Sequence, residues 1–193
     1  MKVAKFGGSS LANANQIKKV VDIILSDSER RIIVVSAPGK RLKEDTKVTD
    51  LLIILADSIL LGNDGNHELK IIMERFKSII EELSLSKELL DEINKDIKIR
   101  ISEDKSLAVK FKDGVKALGE DISAKIVAAY INSLGIKAKY ISPKDAGLLL
   151  SEEFGNATVL DKSYKNLSKL KNENALIIFP GFFGYTEKGD VVT

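Results

Sequence analysis

The sequence predicts a three-layer α/β/α sandwich around a mainly parallel sheet. Three observations carry this prediction. Short β-branched runs alternate with segments whose apolar residues recur at helical spacing along the 193 residues. The first strand, helix and strand follow one another within some 35 residues, a βαβ unit that implies parallel strands and a right-handed crossover. The strong strands each end in a turn rich in Gly, Pro or Ser, at the edge where open parallel sheets bind ligands.

The elements follow in order. Val3 and Ala4 lead into Lys5-Phe6-Gly7-Gly8-Ser9-Ser10, a strand-to-helix turn. Ile17, Val20, Val21 and Ile24 then mark one face of a helix from Asn13 to about Asp27. Arg31-Ile32-Ile33-Val34-Val35-Ser36 reads as a buried strand stopped by Pro38 and Gly39. Gly39 to Lys47 is a polar loop, and Thr49 heads an apolar helix that ends at Gly62. Two helices follow, one striped by Leu69, Ile72, Met73, Phe76, Ile79, Ile80 and Leu83, the other by Leu89, Leu90, Ile93 and Ile97. They read as a helical insertion over about 63–103 whose stripe serves core packing, with a dimer seam as the alternative. A long helical region spans Asp104 to Leu134. Lys139-Tyr140-Ile141-Ser142 and Leu148-Leu149-Leu150 are read as strands, and Leu160 to Leu170 as a short helix. Ala175 to Phe179 is a strong buried strand stopped by Pro180-Gly181.

Composition excludes several function classes. With 30 basic and 28 acidic residues and a net charge of +2, the chain offers no electrostatic reason to expect nucleic acid or a membrane surface as partner. No apolar run reaches membrane-spanning length. The absence of cysteine removes disulfide and thiol chemistry. The sequence enters its first strand without a signal peptide, so a cytoplasmic protein is expected. The single histidine, His67, lies in a polar turn, which leaves histidine acid–base catalysis or a histidine-rich metal site unsupported.

The first turn combines a cation, two glycines and two hydroxyls. Adjacent glycines let backbone N–H groups approach a ligand, and the following helix start favours an anion, so the chemistry suggested is phosphate handling. Gly-Gly also serves as a plain tight turn, and Ser-Ser as a helix cap. The stretch fits neither the Walker pattern nor the dinucleotide pattern. Ser36-Ala37-Pro38-Gly39 and Pro180-Gly181-Phe182-Phe183-Gly184 open on the same sheet edge. Thr49 is placed either to cap its helix or to hold a substrate carboxylate. In Leu118-Gly119-Glu120-Asp121-Ile122-Ser123, Asp121 and Lys125 form an i,i+4 pair on the solvated side. Glu120 instead falls in line with Ala124, Val127 and Ile131. A carboxylate on such a stripe needs a Lys or Arg partner, an exposed edge, or a substrate ammonium.

Taken together, and in this order, these segments resemble the amino-acid kinase family, and within it the aspartokinases. The resemblance implies ATP, accompanied by Mg²⁺, with Lys5, Phe6, Gly7, Gly8 and Ser9 at the phosphates and Lys5 as the catalytic cation. It implies that Ser36, Thr49 and Glu120 hold L-aspartate, with Glu120 at the α-ammonium. The side-chain carboxylate would attack the γ-phosphate to give 4-phospho-L-aspartate, on the route to lysine, threonine and methionine. No residue here is assigned to a metal, and the full-length protein is expected to be a homo-oligomer. Ser9 stands where the family more often has Thr. The family continues past the equivalent of Gly189-Asp190-Val191-Val192 into a Gly-Arg-Gly-Gly-Ser-Asp run, a nucleotide-binding half and ACT domains, all absent from this sequence. Residues 1–193 are therefore expected to be the amino-terminal, amino-acid-binding lobe, inactive alone, with an unpaired sheet edge near Ala175 to Phe179. A kinase for glutamate or a related carboxylate, and a non-catalytic binding module, are the alternatives.

Overall fold

The computed structural model describes residues 1–193. Four parallel strands form the central sheet: β1 (Lys2–Phe6), β2 (Arg30–Val35), β3 (Ala138–Tyr140) and β4 (Leu176–Pro180), in the order β1-β2-β4-β3. Helix α1 (Ala14–Leu25) follows a 3₁₀ turn at Gly8–Leu11, and the Asn13 side chain caps it by accepting the Gln16 N–H at 3.0 Å. The remaining long helices are α2 (Val48–Leu60), α3 (Asn66–Glu82), α4 (Lys87–Ser102) and the 26-residue α5 (Ala108–Ser133). Short helices α6 (Pro143–Ala146) and α7 (Lys162–Leu167) precede β4, and a small antiparallel pair, β5 (Gly184–Tyr185) and β6 (Val191–Val192), follows it. No helix is long and apolar enough to cross a membrane.

Strand alternation sorts the side chains into two layers of packing. Ile33, Val35 and Ile178 are fully buried against α1 and α5, with Ala4 and Phe6 beside them. The α3 stripe of Ile72, Phe76, Ile79, Ile80 and Leu83 joins the same core, with Ile93 and Ile97 of α4, so core packing is its use. On the opposite face Ile177 and Phe179 pack with Ile141, Ala146, Leu167 and Leu170. That second layer covers β3 and β4 but not β1, where Val3 remains 63% exposed and Lys5 is open to solvent.

Three sequence expectations change. The Ala175–Phe179 strand is not an edge, because β4 pairs with β2 on one side and with β3 on the other; β1 and β3 are the edges. The crossover from β3 returns the chain inside rather than outside, which local sequence does not encode. Leu148-Leu149-Leu150 forms no strand and contributes only isolated bridges, Leu149 with Tyr185 and Leu150 with Val159. Thr49 does not cap α2; Lys47 occupies the flanking position, and Thr49 is the second helical residue.

Candidate active site

Three turns at the carboxyl ends of the strands are bonded into one another. The Ser36 N–H donates to the Phe6 carbonyl at 3.1 Å, Gly39 N–H to Gly8 O at 2.7 Å, and Gly181 N–H to Val35 O at 2.9 Å. Glycine is required where the first two turns touch. A Cβ at Gly8 would lie 2.8 Å from the Ala37 carbonyl oxygen, and one at Gly39 would lie 2.6 Å from the Gly8 carbonyl carbon. The Val48 N–H donates to Pro38 O at 3.0 Å, which ties the first turn of α2, and with it Thr49, to the same loop.

Groups at this edge are left without protein partners. Lys5 projects from β1 onto the open face of the sheet and forms no ion pair or hydrogen bond, and the Gly7 N–H has no acceptor. The hydroxyls of Ser9, Ser36 and Thr49 make no hydrogen bond within the protein either. A cation, a free backbone donor and three free hydroxyls around one edge form a donor set for anionic ligands.

Glu120 lies behind these turns on α5 and is 5% exposed, in line with the fully buried Ala124, Val127 and Ile131. Its partner is neither Lys nor Arg. Its Oε1 accepts the Ala37 N–H at 3.0 Å, while Oε2 is buried and accepts nothing. Burial pushes its carboxyl up to about 7, against smaller opposing effects from the Ala37 N–H and the Lys116 charge. Gly119 permits this approach, since a Cβ there would stand 2.7 Å from the Ala37 Cβ.

The neighbouring Asp121 shows the contrast. It pairs with Lys125 at 3.1 Å and accepts the Tyr140 hydroxyl, and Lys125 also pairs with Asp96 at 2.6 Å. Asp121 and Lys125 are each only 18% exposed, so this pair is wedged against α4 rather than solvated as expected. It borders a cavity of about 200 Å³ lined also by Arg100 and Tyr185, which contains none of the candidate residues. His67 is exposed, as its polar turn predicts.

Two further buried clusters, one of them bonded to the Gly39 turn, escaped sequence reasoning. Arg75 of α3 is 3% exposed, bonds Asp45 Oδ2 at 2.5 Å and donates to the Gly39 carbonyl. Arg41 and Arg75 together hold the Asp45 carboxyl well below the usual carboxylate range. The signal was present, since Arg75 interrupts the apolar stripe between Ile72 and Ile79. Asp113 of α5 is 1% exposed and gathers the chain at Gly155 and Thr193. No group of three or more His, Cys, Asp or Glu side chains is placed to hold a metal ion.

Known proteins match this arrangement along its whole length. The amino acid kinase family profile matches residues 1–193. The chain belongs to the amino acid kinase family. It is 49% identical over its full length to aspartokinase 3 of Bacillus subtilis, covering 42% of that protein. It is 31% identical to the chloroplastic aspartokinase 1 of Arabidopsis thaliana, with 99% of this chain and 35% of that protein aligned. The crystal structure of Clostridium acetobutylicum aspartate kinase superimposes with a TM-score of 0.80 at 32% identity, over 99% of this chain and 40% of that one. Escherichia coli aspartokinase III in complex with aspartate and ADP shares the fold, with a TM-score of 0.81 at 24% identity over 99% of this chain and 42% of that one. The chain thus spans less than half the length of the relatives it matches.

Proposed function

We propose that this chain is the amino-terminal, amino-acid-binding lobe of an ATP-dependent aspartate kinase, with α3 and α4 as a helical insertion. The observation that carries the reading is the juxtaposition of two unmet needs at one sheet edge. Lys5 and the Gly7 N–H lack an anion, and the buried Glu120 Oε2 lacks a donor. A nucleotide phosphate meets the first need and an amino-acid ammonium the second. Kinship with aspartokinases supports L-aspartate as that amino acid.

In this mechanism the nucleophile needs no protein base. An aspartate side-chain carboxylate, with a reference pKa of about 4, is already ionised at neutral pH. Catalysis is positioning and charge neutralisation. Glu120 takes the α-ammonium, which favours its ionised form despite its burial. Ser36 and Thr49 offer hydroxyls to the substrate's carboxylates. Phe6, Gly7, Gly8 and Ser9 shape the phosphate cradle, and Lys5 neutralises charge developing on the transferred group. A divalent cation would shield the nucleotide's phosphates. No cluster of three or more carboxylate or imidazole side chains gathers here to hold it, and no step depends on one. The work belongs in the cytoplasm, where ATP and free amino acids meet, and in a homo-oligomer of the full-length protein.

The test is hydroxylamine trapping of the acyl phosphate, using the protein extended to the length of its relatives. Aspartate plus ATP should give aspartyl hydroxamate, and a panel including glutamate should show preference for aspartate. A folded protein giving no hydroxamate with any amino acid would overturn the reading, and preference for glutamate would reassign the substrate.

A further inference from the structure

The geometry points to Asp113 as a positioning residue for the α5 face that carries Glu120, acting by clamping Thr193 and the Gly155 loop onto that helix. This rests on the kinase reading above and adds to it a residue that touches no substrate. Asp113 Oδ2 accepts the Gly155 N–H at 2.7 Å and the Thr193 N–H at 2.9 Å, and its Oδ1 accepts the Thr193 hydroxyl at 2.8 Å. Lys116 Nζ pairs with Asp113 Oδ1 at 2.8 Å and donates to Thr193 Oγ1 at 2.9 Å. The Thr193 carbonyl in turn accepts the Ala157 N–H at 3.1 Å. A buried carboxylate with this many donors is fully satisfied, and removing its charge leaves several donors short at once.

The placement along α5 gives the clamp its function. Asp113, Ala117 and Glu120 follow at helical spacing on one stripe, about 10 Å from end to end at 1.5 Å per residue. Asp113 holds Thr193, Ala117 packs with Phe183 and Val191, and Glu120 holds Ala37. Lys116 also sits 5.7 Å from the ring centroid of Phe182, whose φ of 72° lies in the left-handed region. The turn after β4 and the strand β6 are thus seated on the helix face that presents Glu120. Releasing Thr193 unseats β6, and through Val191 and Phe183 it loosens the packing on Ala117, one helical turn from Glu120.

Two variants test this, Asp113→Asn, which keeps the shape and removes the charge, and Thr193→Val, which keeps the N–H and removes the hydroxyl. In the present chain, Asp113→Asn should speed hydrogen exchange at the Gly155 and Thr193 amides by about tenfold or more while β2 and β4 amides stay protected. In the full-length enzyme it should raise the KM for aspartate by about tenfold or more, with the KM for ATP changed by less than about threefold. Thr193→Val should act in the same direction and less. Unchanged exchange at both amides, or equal changes in the two KM values, would overturn the proposal. The exchange measurement needs no activity, so a full-length protein that makes no acyl phosphate would sink the kinase reading without touching the clamp.

Discussion

The two ends of β1 carry the same side chain in opposite circumstances. Lys2, at the amino end, pairs with Asp27 at 2.9 Å and Glu29 at 3.1 Å, and Glu29 also meets the N-terminal ammonium at 3.5 Å. Lys5, three residues on and at the carboxyl end, has no counter-ion. The same asymmetry runs across the sheet: charges cancel where β1 and β2 begin, while Lys5, the Gly7 N–H and Glu120 Oε2 stay unmet where they end. Folding tends to satisfy its buried polar groups, so the unpartnered Glu120 Oε2, beside an exposed cation and free donors, marks an edge suited to something that is not part of the fold.

The sharpest way to break this comparison is to remove each lysine. If the protein extended to the length of its relatives is the proposed kinase, Lys5→Ala should lower its kcat by about a hundredfold to a thousandfold, the range for losing one group that stabilises transition-state charge. Melting temperature should hardly move, because Lys5 supports nothing in the fold. An activity loss of less than about fivefold would place the phosphate elsewhere.

Much of this edge was legible in sequence because each part is local. A turn follows each strand it serves, and Glu120 stands out as one carboxylate among Ala124, Val127 and Ile131. What holds the turns in place was not legible. Arg75 reaches Asp45 across 30 residues, and Asp113 reaches Gly155 and Thr193 across 42 and 80. No periodicity encodes such pairs. Strand order was hidden for the same reason, since Ala175 to Phe179 looks equally buried whether β3 lies beside it or not. Leu148-Leu149-Leu150 misled because three leucines satisfy a strand pattern without a neighbouring strand to pair with.

The second prediction concerns the support beneath the open edge. Arg75→Ala strands the Asp45 charge and releases the Gly39 carbonyl, and breaking a buried pair from one side costs about 3–5 kcal/mol. Arg41, 48% exposed and bonded to the same carboxylate at 2.8 Å, should cost about 1 kcal/mol or less when replaced by alanine. Urea unfolding of the two variants reads the difference directly. Equal effects would mean that the loop from Gly39 to Lys47 is held by surface pairing alone.

Glu120 sharpens the comparison through pH. Its folded pKa of about 7 lies above the ordinary 4.5, so the folded chain holds a proton that the unfolded chain has released between these values. Stability should therefore fall as pH rises from about 4.5 to 7, by on the order of 3 kcal/mol, and level off above. Glu120→Gln removes this slope and makes the chain more stable than wild type at pH 8, while the two converge near pH 4. Such a gain at the expense of function is the signature of a group kept for a ligand. Parallel pH–stability curves for the two proteins would show that Glu120 is satisfied in the fold.

The smallest effect is expected at the closed end of β1. Lys2→Ala removes a cation that is 56% exposed and shared by two carboxylates already in contact with solvent. Exposed pairs gain little in water and lose side-chain entropy, so the melting temperature should shift by no more than a few degrees. Turnover of the full-length enzyme should stay within about twofold of wild type, because no ligand of the proposed reaction approaches the strands' amino ends. The small shift should shrink further at high salt, where exposed pairs are screened. If Lys2→Ala instead lowered turnover as much as Lys5→Ala, the two ends of the strand would not differ in function. The unmet charge at Lys5 would then be a feature of the uncovered sheet face rather than of a site.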